Sequence, residues 1–244
     1  MSQDPWSQVK QLLDDAAEAG ETMRFWLRDD DAVTETPALW RLADICGPAD
    51  LPVLLAVIPA AAEDRLGTVL ARMSGFTPCQ HGWQHRNHAA PGQRACELGG
   101  DRPTEQVLIE LAEGRLKLHG LFGGQLADVL VPPWNRIEPA VVRRLPELGF
   151  AALSTFGPPP KDDEGIGRMN CDVDLIDWRN GRVGRSALDI AGKLAEAIQA
   201  AQSHLRPVGI LTHHLAHDAQ AWRVLEELVG QLVRHPGAGF TRPV

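Results

Sequence analysis

Val53-Leu54-Leu55-Ala56-Val57-Ile58 is an unbroken apolar run with no alternation of polar and apolar positions. A strand with one wet face alternates. A strand buried on both faces need not, and such strands belong to parallel sheets covered by helices. Working outward, Thr36-Pro37 opens a helix running to about Cys46, with proline at its first position. Glu63 to Met73 reads as the helix after the run. Upstream, Pro5 to Ala19 reads as a helix with Asp4 as N-cap and Gly20 as stop. A short apolar strand, Met23 to Leu27, then ends in Arg28-Asp29-Asp30-Asp31.

Downstream the same alternation continues. Phe76 to Gln80 is a strand, and Thr104 to Leu118 a helix with Thr104 as cap and Gly120 as terminator. Asp128 to Val131 is a strand and Glu138 to Leu148 a helix. Strands come next at Phe150 to Ser154 and Val173 to Ile176, then a helix at Ala187 to Ser203. Pro207 to Thr212 is a strand and Asp218 to Val233 the last helix. Repeated strand-to-helix alternation predicts a parallel sheet with helical crossovers. The 244 residues match the ~250 of an α/β barrel, so a closed or nearly closed barrel is favoured over a doubly wound open sheet. Residues 1–244 are read as one domain.

Hydrophobic residues make up 44% and charged residues 23%, as in an ordinary globular protein. The formal charge of −8, with no basic block, argues against nucleic acid or an anionic membrane as partner. Cys46, Cys79, Cys96 and Cys171 form no C-x-x-C pair and read as reduced, buried thiols. Met1 to Pro5 has no signal-peptide character, and the apolar stretch Leu51 to Ala62, broken by Pro52 and Pro59, is too short to span a bilayer. A cytoplasmic location is expected.

The polar clusters fall where predicted strands end: Asp29 to Asp31, His81 and His85, Trp134 and Asn135, Asp177, and His213 and His214. In a parallel barrel those ends meet on one face, where active sites form. Three adjacent carboxylates repel one another unless a cation sits among them. His81 and His85 stand four apart, so a helical turn would put both imidazoles on one face for a single divalent metal. Gly82 permits a tight turn after the first of them. One Asp with two His leaves a coordination position open, the catalytic rather than the structural arrangement. A second Asp, not ligated, would accept a proton from water. Each cluster alone also has a bland reading: a solvated turn, a helix cap, a histidine-rich loop, or, for Trp134 and Trp178, core tryptophans. His88 is read as a surface loop histidine, with a place beside the ligands as the alternative, and His119, His204 and His235 as structural.

Five stretches taken in order resemble the motifs of the NodB-homology polysaccharide deacetylases, the family 4 carbohydrate esterases. They are Leu27-Arg28-Asp29-Asp30-Asp31-Ala32, His81-Gly82-Trp83-Gln84-His85, Val131-Pro132-Pro133-Trp134-Asn135, Asp174-Leu175-Ile176-Asp177-Trp178 and Leu211-Thr212-His213. The resemblance implies a distorted (β/α)7 barrel and a metal-dependent hydrolase with one divalent ion, zinc by preference. It implies Asp30 as base and Asp31 as metal ligand, or Asp29 and Asp30 if the run shifts by one; the first register is preferred. His81 and His85 complete the ligand set. His213 is implied as general acid, with Asp177 orienting it. Pro133, Trp134, Asn135, Arg136, Trp178 and His214 are read as contacting substrate. Val131 stands where the family carries an arginine, and Arg28 or Arg136 is the available replacement. The expected reaction is removal of an acyl group, acetyl by preference, from an N-acylated sugar or related amine. The alternatives are a barrel that binds a saccharide without turnover and a hydrolase of another non-peptide C–N bond.

Overall fold

The computed structural model describes residues 4–159, 165–204 and 206–242. Its strands are β1 (Met23–Ala32), β2 (Val53–Val57), β3 (Phe76–His81), β4 (Val129–Val131), β5 (Ala152–Leu153), β6 (Gly167–Arg168), β7 (Val173–Asp174), β8 (Ile176–Asp177), β9 (Val183–Gly184), β10 (Val208–Thr212) and β11 (Ala238–Phe240). Its helices are α1 (Ser7–Glu18), α2 (Pro37–Cys46), α3 (Asp64–Leu70), α4 (Thr104–Phe122), α5 (Pro139–Val142), α6 (Ala187–His204) and α7 (Ala219–Val233). The main sheet runs in the order β6-β5-β4-β3-β2-β1-β10-β7, with β11 added to β1. β8 and β9 form a separate antiparallel pair. No helix among the described residues is long and apolar enough to cross a membrane.

Two compact units share the chain. In the first, β1 pairs in parallel with β10 from Phe25 opposite Val208 to Asp29 opposite Thr212. Phe25, Leu27, Val208 and Ile210 are wholly buried there; each such side chain contributes about 1.5–3 kcal/mol of burial. The second unit holds β3 to β6. Its core gathers Leu130 and Leu153 from the strands with Val107, Leu108, Leu111, Val141, Val142 and Leu145 from the helical segments.

Several expected boundaries move, each for a local reason. β1 does not stop at Leu27; it continues through the acidic run to Ala32, because Arg28 and Asp29 stay in register with Leu211 and Thr212. α4 runs past Gly120 and ends at Gly123, where the backbone turns to φ +54°. Thr104 is its first residue and caps nothing. The helix expected at Glu138 to Leu148 is α5 and then a separate 3-10 turn, Leu145–Leu148, around Pro146, which has no N–H to give. The strand expected at Val173 to Ile176 breaks after Asp174, whose carboxylate accepts from the Ile176 N–H (2.9 Å) and turns the chain into β8. β6, β9 and β11 are additional. Part of the loop expected at Gly157 to Gly167, residues 160–164, lies outside the described residues.

Candidate metal centre

Asp31, His81 and His85 offer ligand atoms that all lie within 4.8 Å of one another, in the second unit. His81 is the last residue of β3, 1% exposed, and pairs with Val131 of β4. Its Nδ1 lies 2.9 Å from the Val131 carbonyl. A carbonyl can only accept, so Nδ1 carries the proton and Nε2 keeps its lone pair. Asp31 Oδ1 lies 3.1 Å from that Nε2 and 3.3 Å from His85 Nε2. Ligands at 2.0–2.1 Å from a tetrahedral ion stand about 3.3 Å apart, so the donors fit zinc or a cation of similar size.

The two histidines do not meet by a helical turn. β3 ends at His81, and Gly82 (φ +54°) and His85 (φ +55°) fold the residues beyond it into a loop. Glu97 holds that loop. Its carboxylate is wholly buried and accepts from the backbone N–H of Trp83 (3.0 Å), Gln84 (2.8 Å) and Arg86 (3.3 Å). Bonds from N–H to a carboxylate are about twice as strong as neutral ones. A Cβ on residue 82 would stand 2.0 Å from Glu97 Oε2 and 2.6 Å from Pro133 Cδ, so glycine is required there. The Gly82 carbonyl accepts from Gln80 Nε2 (3.0 Å), which also donates to the Leu111 carbonyl of α4 (3.0 Å). That link needs Gly114, whose Cβ would stand 2.5 Å from Gln80 Nε2.

The His85 pKa is lowered, first by burial and then by His81, against the opposing pull of Asp31 and Glu97. A neutral imidazole is the form that ligates metal. Trp134 lies just past β4 with φ +54°, and its ring is 4.4 Å from that of His85. Pro133 is buried beside Gly82, and Asn135 continues the turn at φ +57°. Arg136 is fixed by an Nη1 bond to the Ala95 carbonyl (2.6 Å). Asp30 precedes Asp31 on β1 and is 2% exposed.

In the first unit, Asp29 is committed to His214. Its Oδ2 accepts from the His214 backbone N–H (2.8 Å), and its Oδ1 bonds the ring Nδ1. Both side chains are wholly buried. Asp29 is not a member of the metal-capable group. His213 is 8% exposed and meets the edge of Trp178 at 4.7 Å. Trp178 is fixed by its Nε1 donating to Asp174 (2.9 Å). Asp177 does not orient His213: its carboxylate accepts from the N–H groups of Arg179 and Asn180 and from the Asn180 side chain, and pairs with Arg185. The Asn180 bond is the main cause of its lowered pKa. The β8–β9 hairpin takes the carboxylate for its own turn.

Sequence reasoning missed Glu97. It sits in a stretch of mixed polarity, Ala89 to Arg102, and its one signal is a lone acid between Cys96 and Leu98.

No protein-family model and no curated protein matches the chain. Solved structures do. A family 4 carbohydrate esterase from Streptococcus mutans is 13% identical over 97% of this chain and 90% of its own, with a TM-score of 0.63. A family 4 acetyl xylan esterase from Clostridium thermocellum, solved with a cobalt ion, is 15% identical over 89% of this chain and 87% of its own, with a TM-score of 0.56. A family 4 carbohydrate esterase from Streptomyces lividans, solved with acetate, is 17% identical over 91% of this chain and 94% of its own, with a TM-score of 0.57. At such identities the likeness speaks for the fold, and the fold is the distorted (β/α) barrel of the family 4 carbohydrate esterases and polysaccharide deacetylases.

Proposed function

We propose that the chain is a metal-dependent hydrolase that removes an acetyl group from an N-acylated sugar or related amine. The observation that carries this reading is the Asp31, His81, His85 constellation, with ligand spacing that suits one tetrahedral divalent ion, zinc by its donor set. When bound, such an ion polarises the scissile carbonyl and lowers the pKa of its water. The Val131 carbonyl fixes the ring of His81 for that role. Asp30 accepts the proton of the attacking water, and His213 returns one to the leaving amine. The N–H of Trp134, on its left-handed turn, is offered to the developing oxyanion. The rings of Trp134 and Trp178 offer faces to a sugar. Arg28, wholly buried two residues before Asp30 on β1, supplies the cation that Val131 lacks. The neighbours solved with cobalt and with acetate support the reading.

The test is metal content beside acetate release. Wild-type protein should retain about one ion per chain after exposure to zinc and gel filtration, and His81→Ala and Asp31→Ala should each lose it. The loaded wild type should release acetate from N-acetylated amino sugars, and Asp30→Asn should bind the ion yet release acetate at least about a hundredfold more slowly. A wild-type protein that retains no ion would overturn the reading. An ion-loaded protein that cleaves none of the substrates would leave a barrel that binds without turnover.

A further inference from the structure

Asp29 is wholly buried at the end of the β1–β10 ladder, where it stands opposite Thr212. The residue after Thr212 is His213, and the peptide that follows His213 is held at both of its polar groups. Its carbonyl accepts from the Ala216 N–H (2.8 Å). Its N–H, which belongs to His214, donates to Asp29 Oδ2 (2.8 Å). Asp29 Oδ1 takes a second bond, from the His214 ring. On the other side of His213, Thr212 lies in the sheet and its hydroxyl is bonded to His217. All of these residues belong to the first unit. The chain is thus fixed before and after His213, while the His213 ring meets the edge of Trp178, a side chain 39% exposed and itself held by Asp174.

A buried Asp–His pair is a poor way to stabilise a fold. Taking a carboxylate out of water is costly, and apolar side chains of like volume often do better in its place. Both oxygens of Asp29 are committed to one residue, and Asp29 stands outside the metal-capable group. What the two bonds fix is the direction in which the chain leaves β10, and with it the place of His213. A reacting group misplaced by about 1 Å can lose roughly a hundredfold in rate.

We propose that Asp29 is the positioning residue for His213: its carboxylate grips the following residue, His214, by backbone and by ring, and so sets the His213 imidazole where it can protonate a leaving amine. The acid role of His213 is taken from the hydrolase reading, on which the proposal rests; the grip on its position is independent of that reading.

The experiment compares two substrates on zinc-loaded wild type, His213→Ala and Asp29→Asn. N-acetylglucosamine must have its amine protonated as it leaves, whereas 4-nitrophenyl acetate releases a phenolate that needs no proton. Asp29→Asn offers one oxygen where two donors stand. On the amide its kcat should fall by about tenfold to a hundredfold with KM near wild type, and on the ester by a far smaller factor. His213→Ala should show the same split, more steeply. His214→Leu, which removes the ring bond and keeps the backbone one, should show it more weakly, and stands in if Asp29→Asn does not fold. Zinc content and circular dichroism establish that each variant is loaded and folded. Equal losses on both substrates would trace the effect to Asp30 or the metal, and wild-type turnover of the amide would show that the grip is idle. Either result would overturn the proposal and leave the hydrolase reading standing. Should the wild type leave either substrate uncleaved, nuclear Overhauser contacts between the rings of His213 and Trp178 decide. Contacts present in the wild type and lost in the folded variant would uphold the grip and count against the hydrolase reading alone. Contacts unchanged in the variant would overturn the proposal.

Discussion

Glu97 acts on His85 through the backbone between them. Its carboxylate gathers three N–H groups of a loop that has no helical bonds of its own. Glu97→Gln keeps the shape, but one amide nitrogen then faces N–H donors. Metal affinity should fall about 10–100-fold, as it does when the group that orients a ligand is lost, with helicity retained. Competition titration against a chelator, alongside circular dichroism, checks this; a variant that binds zinc as tightly as wild type would show that the clamp is dispensable. Gly82→Ala should be worse, because it sets a methyl 2.0 Å from the same oxygen at φ +54°.

At the scale of elements, α7 begins on Asp218, which accepts from the Ala221 N–H (2.7 Å) and also from the Gly184 N–H of β9 (3.1 Å). Asp218→Ala removes the cap and frees a strand donor, and should destabilise by about 1–2 kcal/mol. Urea unfolding should show a lower midpoint at unchanged slope. The elements legible in the sequence were those with their own periodicity and ends. α2, opened by Thr36 whose hydroxyl accepts from the Leu39 N–H (3.0 Å), is one; β2, an unbroken apolar run, is another. β6, β8, β9 and β11 are two or three residues long; β6 and β11 exist by pairing with β5 and β1, and β8 and β9 by pairing with each other, and no local pattern announces such short strands. The residues of the metal-capable group were legible by type and spacing. How they meet was not: the spacing of His81 and His85 predicts a helix, and the loop that replaces it depends on a carboxylate further along the chain. The same limit applies to Asp177, which the motif assigns to His213 and the β8–β9 hairpin keeps for itself.

At the scale of the molecule, His217 ties stability to pH. Its ring bonds the Thr212 hydroxyl through Nε2 and meets the edge of Trp222 at 4.4 Å. Burial pushes its pKa down to about 4, with His213 and His214 adding to the effect and Asp29 and Asp218 opposing it. An unfolded histidine titrates near 6.5. Between those values the unfolded chain takes up a proton that the fold refuses. The contribution of His217 is therefore complete above pH 6.5, falls as the pH drops toward 4, and changes no further below that. The span is on the order of 3 kcal/mol at most. Unfolding free energies at pH 7, 5.5 and 4.5 should decline more steeply in wild type than in His217→Gln. Equal slopes would assign the acid sensitivity to other groups.

Gly114 touches no metal ligand, yet it is joined to His85 by a short relay. Its missing side chain leaves room for Gln80, Gln80 holds the Gly82 carbonyl, and Gly82 begins the loop that ends at the second histidine. A saturation-mutagenesis map scored for turnover would therefore carry a cold spot in the middle of α4, where helix propensity alone would favour alanine. Variation tolerated on the exposed face of that helix would not extend to this position. Drift in a structural helix would be policed by the chemistry it supports.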